Sequence, residues 1–184
     1  MHSPAQRCGQ CLRAHLDIDA CWAAVPYHYP WDQVIRQFKF RHQPGWASTL
    51  ASLMLRDPSI QEALAQADGV IPMPLAAQRL RERGFNQAHE LAHHLAPGKV
   101  RTGWIHRARE TVSQATLPLD QRHKNLKGAF AISTAADRSL QGKHLVLVDD
   151  VMTSGATLNA AARALRAAGA AHITGLVFAR TDYD

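Results

Sequence analysis

The stretch HLVLVDDVMTSGAT, residues 144–157, constrains the fold of this 184-residue chain more than any other. Leu145 to Val148 is an unbroken apolar run, bounded by a turn at Gly142 and by the carboxylates Asp149 and Asp150. Such a run predicts a strand covered on both faces, as in a parallel sheet. From Thr157 to Ala168 the composition is rich in Ala and Leu with two arginines, which predicts a helix, and Gly169 stands where its C-terminal cap belongs. Between them lies Thr153-Ser154-Gly155-Ala156-Thr157. Glycine lets the backbone turn tightly and approach a ligand, and no proline removes an N–H donor.

Backbone N–H groups at a helix N-terminus, with the helix dipole behind them, favour phosphate. The loop is therefore expected to take a phosphate, and the adjacent acids to hold hydroxyls or a magnesium ion. A ligand with a phosphate at one end and vicinal hydroxyls in the middle is a sugar phosphate. The plainer alternative is a strand-turn-helix whose acids merely cap the turn. The run from Val148 to Thr157 resembles the signature of type I phosphoribosyltransferases, which bind 5-phosphoribosyl 1-pyrophosphate (PRPP). The resemblance implies that Asp149 and Asp150 contact the ribose hydroxyls. It also implies that Val151, Met152, Thr153, Ser154, Gly155, Ala156 and Thr157 wrap the 5′-phosphate.

The rest of the chain reads as one domain, or one with a small appendage. Hydrophobic residues make up 46% of it, enough for a sizeable core. No apolar run approaches the length of a membrane span and MHSPAQRC has no signal-peptide core, so a soluble cytoplasmic protein without membrane insertion is expected. Three cysteines do not make a disulfide framework. Residues 1–24 read as Cys-bearing and irregular, 25–67 as helical, and 68–184 as the α/β part. Helical spacing predicts helices over Trp31–Phe40, Trp46–Leu55 and Ile60–Ala67. Beyond these come a strand at 69–72, a helix at Asn86–Leu95, strands around 100–106 and 129–132, strand 144–149, helix 156–168 and strand 172–179. Alternating strand and helix predicts an open, mostly parallel sheet flanked by helices, with ligands at the carboxyl ends of the strands.

Charge is uneven. Ala77 to Lys127 carries ten Lys/Arg against four Asp/Glu, which accounts for the whole net charge of +6. Such a segment faces an anion or stays a solvated basic surface. Its densest part holds Arg79, Arg81 and Arg83, directly after the strand at 69–72, where guanidinium forks could grip a second anion. An ordinary charged helix start is the alternative. Residues 107–127 are polar with Pro118, a length without apolar pattern that is uncommon in compact domains and often a functional lid. A short surface helix and loop is the other reading, while type I phosphoribosyltransferases carry a mobile catalytic loop at the corresponding place.

His89-Glu-Leu-Ala-His93 matches the zinc-protease pattern H-E-x-x-H. The extended pattern fails at Ala96 and Lys99, and Ala88, Leu91, Ala92 and Leu95 give the segment an ordinary apolar helix face.

Several segments together resemble the ComF family of phosphoribosyltransferase-like proteins: Ile71-Pro-Met-Pro-Leu75, Arg79 to Gln87, Thr111-x-Ser-Gln114, Arg122-x-x-Asn125 and Gly128-Ala-Phe130. The family resemblance implies a link to natural competence and DNA uptake. On it, the chain transfers phosphoribosyl from PRPP with Mg2+ to an unknown acceptor. Arg79, Arg81 and Arg83, with Arg107 or Arg109 from the lid, would then neutralise the leaving pyrophosphate. A non-catalytic alternative is a PRPP sensor or a module that binds single-stranded DNA beside competence machinery proteins. ComF proteins commonly begin with a four-cysteine zinc knuckle. Cys8 and Cys11 match its second pair, so a shortened or degenerate knuckle is expected, whose Zn2+ would need Cys21, His2 or His15 to complete four ligands.

Overall fold

The computed structural model describes residues 16–40, 43–108, 128–137 and 139–181. Strand β1 (Ala20–Pro26) is followed by helices α1 (Trp31–Phe40), α2 (Trp46–Met54) and α3 (Pro58–Gln66). Strand β2 (Gly69–Pro72) leads through α4 (Ala77–Arg83) and α5 (Gln87–Leu95) to β3 (Ile105–Arg107). Then come β4 (Phe130–Ile132), the single turn α6 (Thr134–Asp137), β5 (His144–Met152), α7 (Ala156–Ala167) and β6 (His172–Arg180).

Four strands form a parallel sheet in the order β1-β6-β5-β2, and β3 pairs with β4 in a separate antiparallel pair. Val100 extends the sheet beyond β2 by a parallel bridge to Val70, with Arg101 N–H donating to the Val70 carbonyl at 2.8 Å. The chain is thus an α/β protein with an open parallel sheet flanked by helices.

Alternation along β5 explains why its sequence is apolar throughout. Successive side chains point to opposite faces, and both faces are covered. Leu145 and Leu147 enter a core with Leu158, Ala161, Ala162 and Leu165 of α7. Val146 and Val148 enter the other core, built from Ile35 and Phe38 of α1, Leu50 and Met54 of α2, Ile60 of α3 and Leu91 of α5. Helix starts are set by local chemistry. Asp57 caps α3 by accepting from Ser59 N–H at 2.8 Å, and Asn86 caps α5 by accepting from Ala88 N–H at 3.0 Å. Among the described residues no helix is long and apolar enough to cross a membrane.

The irregular reading of residues 1–24 missed a strand. Ala20–Pro26 forms the sheet edge beside β6, from Ala20↔Thr174 to Pro26↔Arg180. The residues before it are stitched to α7: Asp17 N–H donates to Asn159 Oδ1 at 2.6 Å, Arg163 pairs with Asp17 at 3.0 Å, and Arg166 with Asp19 at 2.6 Å.

Candidate functional site

Beyond β2 the chain runs by α4 and α5 to Val100, on the side of β2 away from β5. After β5 it runs by α7 to β6, on the opposite side. Neighbouring strands whose connections depart in opposite directions leave a crevice at their carboxyl ends, the usual ligand site of open α/β sheets. In this chain the crevice lies where Met73 N–H reaches the Val148 carbonyl at 2.9 Å, immediately before Asp149 and Asp150.

The two carboxylates leave β5 on opposite sides, by the alternation that sorts the apolar residues before them. Asp150 is buried and faces α1, whose Lys39 Nζ lies 2.9 Å from its Oδ1. Asp149 accepts a hydrogen bond from the Asp150 backbone N–H at 2.9 Å. Burial, and then the Asp150 charge, push the Asp149 carboxyl up to about 7, while Lys39 and Arg107 pull it the other way. The pair is therefore asymmetric: Lys39 is in ion-pair contact with Asp150, whereas Lys39 and Arg107 act on Asp149 through their charge.

Guanidinium groups crowd the same crevice. Arg83, half-buried at the end of α4, donates to Gln87 Oε1 at 2.9 Å and stacks over the Phe40 ring at 5.2 Å. Burial lowers its pKa, while Asp150 and Asp149 raise it and Arg79 lowers it. Arg107 donates from Nε to the Pro74 carbonyl at 3.1 Å and lies over the Phe130 ring at 5.2 Å. Its pKa is lowered by burial and by Arg79, and raised by Asp149. Arginine stays protonated through such shifts. Lys39, Arg79, Arg83 and Arg107 thus set four cations against two carboxylates, an excess suited to an anionic ligand. Arg81 is exposed on the solvent side of α4. Gly84 ends that helix in the left-handed conformation, at φ 77°.

The phosphate-type loop follows β5 directly. Val151 and Met152 finish the strand, Thr153 and Ser154 form the bend, and Gly155 is the N-cap of α7 at φ 69°, ψ −1°. The left-handed backbone explains the glycine. A Cβ there would meet nothing closer than Met152 Sδ at 3.4 Å, so conformation rather than space demands it. Gly155 makes no side-chain cap, and the first-turn Ala156 N–H has only a long contact, 3.4 Å, to Ser154 Oγ. An uncapped N-terminus of a twelve-residue helix offers its donors to an anion. Thr157 is the second residue of the helix, beside them.

Magnesium was expected with the acids. Among the described residues no group of three His, Cys, Asp or Glu is arranged to hold a metal. A carboxylate oxygen such as those of Asp149 fits Mg2+ in its common setting, where one or two carboxylates share the ion with substrate phosphates and water. The fit is to an ion arriving with its phosphate ligand, not to a protein cage.

Other residues singled out from sequence lie elsewhere. Cys21 sits in β1, its Sγ 3.6 Å from Met152 Sδ, packed against the core on the α7 side. Cys8, Cys11 and Arg109 lie outside the described residues, as does the polar stretch from residue 109 to 127. His89 and His93 flank α5 as the apolar spacing requires, with His89 Nδ1 3.4 Å from Thr102 Oγ1 and the His93 ring edge-on to His94. Of the aromatics near these elements, Phe85 is tilted against Phe38 beside the core, and Trp104 lies beneath Arg101.

Lys39 was not anticipated. Its signal was present in the spacing: it follows Ile35 by four residues and Phe38 by one, both buried, so it sits on the inward stripe of α1. A lysine there implies a carboxylate partner.

The fold and this strand-acid-loop-helix site define a phosphoribosyltransferase-like domain, and a phosphoribosyl transferase domain family matches residues 80–182. The chain is 33% identical over 177 residues to Competence protein F of Haemophilus influenzae, covering 92% of this chain and 76% of that protein. It is 31% identical over 186 residues to the DNA utilization protein YhgH of Escherichia coli K12, covering 95% and 78%. Competence protein ComFC of Bacillus subtilis is 34% identical over 103 residues, 55% of this chain and 40% of that one. The chain belongs to the ComF family of phosphoribosyltransferase-like proteins.

Proposed function

We propose that the protein binds PRPP in the crevice between β2 and β5 and transfers its phosphoribosyl group to an acceptor. One observation carries the reading: the acid pair and an uncapped glycine loop share the end of β5, under an excess of cations from three other elements. In this reading the N–H groups of residues 153–157 take the 5′-phosphate. Asp149 and Asp150 accept hydrogen bonds from the ribose hydroxyls and fix the ring. Arg79, Arg83 and Arg107, joined by Arg109, neutralise the pyrophosphate as its oxygen departs from ribose C1 and the acceptor nucleophile bonds to the same carbon. Mg2+ bound with PRPP supplies further neutralisation of the leaving phosphates. Positioning and charge complementarity suffice for such a displacement, and no protein nucleophile is required.

The cellular setting is part of the proposal: a cytoplasmic protein acting with competence machinery proteins in DNA uptake, as the names of its relatives suggest. A second reading, single-stranded DNA or a PRPP-sensing role without transfer, is favoured by exposed Arg81 and by the exposed Phe40 ring beside Arg83. Calorimetric titration with PRPP, with and without Mg2+, tests the first reading. A screen for pyrophosphate release over candidate acceptors then separates transfer from sensing. Absence of PRPP binding in both conditions overturns it. DNA binding whose affinity falls with salt, by about 0.7 in log slope per phosphate contact, supports the second.

A further inference from the structure

Lys39 is the least expected group in the site. Its side chain is 19% exposed and that of Asp150 11%, with 2.9 Å between ammonium and carboxylate. The stem leaves α1 between the buried Phe38 and the exposed Phe40, and the helix is held on the sheet by Ile35 and Phe38. A salt bridge this sheltered is rarely kept for stability alone, because desolvating both ions offsets much of their attraction. Only one of two adjacent acids receives it. Asp149 leaves the other side of β5 and is drawn by Lys39 and Arg107 only through their charge, Lys39 the more strongly.

We propose that Lys39 is a positioning residue that acts as the resident counter-cation of Asp150, fixing that carboxylate for a sugar hydroxyl and occupying the place to which a free divalent cation would otherwise be drawn. The proposal rests on the sugar-phosphate reading of the site for its purpose, but not for its geometry. It gives the two acids different work. Asp150 is neutralised and aimed before any ligand arrives, and Asp149 is left to meet the ligand's own charges. The metal then enters only with the substrate's phosphates.

The test uses the full chain and Mn2+ alone as the probe, followed by electron paramagnetic resonance. Wild type and Lys39→Arg should bind Mn2+ weakly. Lys39→Met should bind it tighter by about tenfold or more, the scale on which neighbouring groups tune metal sites. Adding Asp150→Asn to Lys39→Met should remove that gain. Equal Mn2+ affinity in wild type and a folded Lys39→Met overturns the proposal, as does a gain that persists without Asp150. If Lys39→Met does not fold, Lys39→Gln carries the same measurement, since it keeps a donor for Asp150 without the charge. A second titration uses PRPP. Lys39→Met should make PRPP binding depend on Mg2+ more steeply than wild type, with Lys39→Arg restoring the wild-type response. Failure of every variant to bind PRPP would refute the sugar-phosphate reading instead, leaving the Mn2+ result to judge Lys39 on its own.

Discussion

Replacing Asp149 by Asn should make the protein more stable at neutral pH and flatten its dependence on pH. The carboxyl is held up to about 7 in the folded protein against 3.8 for the ordinary group, first by burial and then by Asp150. Between those values the folded state keeps a proton that the unfolded chain has released, so stability falls as pH rises from about 4 to about 7 and levels off above. The gap corresponds to a ceiling of about 4 kcal/mol at about 1.4 kcal/mol per pH unit. Solvent at the strand end and the nearby Lys39 reduce the realised effect, and a gain of about 2 kcal/mol above pH 7 is expected. Asparagine keeps an Oδ1 acceptor for the Asp150 N–H, so the backbone contact survives the change. Urea denaturation of both proteins at a series of pH values reads the difference, with equal m-values confirming a common unfolded state. Curves that stay parallel across the series would refute the reasoning, and so would a variant less stable than wild type at about pH 8.

Asp150→Asn should act oppositely: it leaves the Lys39 ammonium buried without its partner and should cost about 3 kcal/mol in the same denaturation assay at neutral pH. Arg83→Ala should weaken PRPP binding by about 1–3 kcal/mol while leaving ribose 5-phosphate, which lacks the pyrophosphate, nearly unaffected in calorimetry. Arg81→Ala should change neither, because Arg81 faces solvent. Gly155→Ala forces a Cβ into the left-handed region and should lower unfolding stability by about 1–2 kcal/mol, while also reducing the rise in melting temperature that inorganic phosphate gives wild type.

The strands and helices that read clearly in the sequence are those whose burial is one-sided or complete. Trp31–Phe40 begins and ends as its apolar spacing indicates, and the run into Asp149 declared a doubly covered strand. β1 escaped because ACWAAVP has neither alternation nor a branched run; small residues suffice where the strand lies at a sheet edge, partly buried along most of its length. The turn after β5 was legible because a glycine bend leading into a helix is written in consecutive residues. In the crevice, Arg83 and Arg107 were named from the sequence, but Lys39 was not, since it comes from a third element and meets the acids only through the fold. A periodicity argument marks Lys39 as inward but cannot name Asp150, 111 positions later, as what it meets.

The pairing of β1 with β6 bears on how the chain is made. Asp19 and Ile173 bond across a sequence separation of 154 residues. A ribosome delivering this chain releases β1 long before its neighbour exists, so the strand waits with an open edge through most of synthesis. Contacts of such range are slow to close and leave edges vulnerable to wrong partners meanwhile. The loop after β5 shares that schedule, because α7 is tied to Asp17 and Asp19 on one side and packs on β5 and β6 on the other. A chain released without β6 would lack the neighbour that sets the register of β1 and one of the strands on which α7 packs.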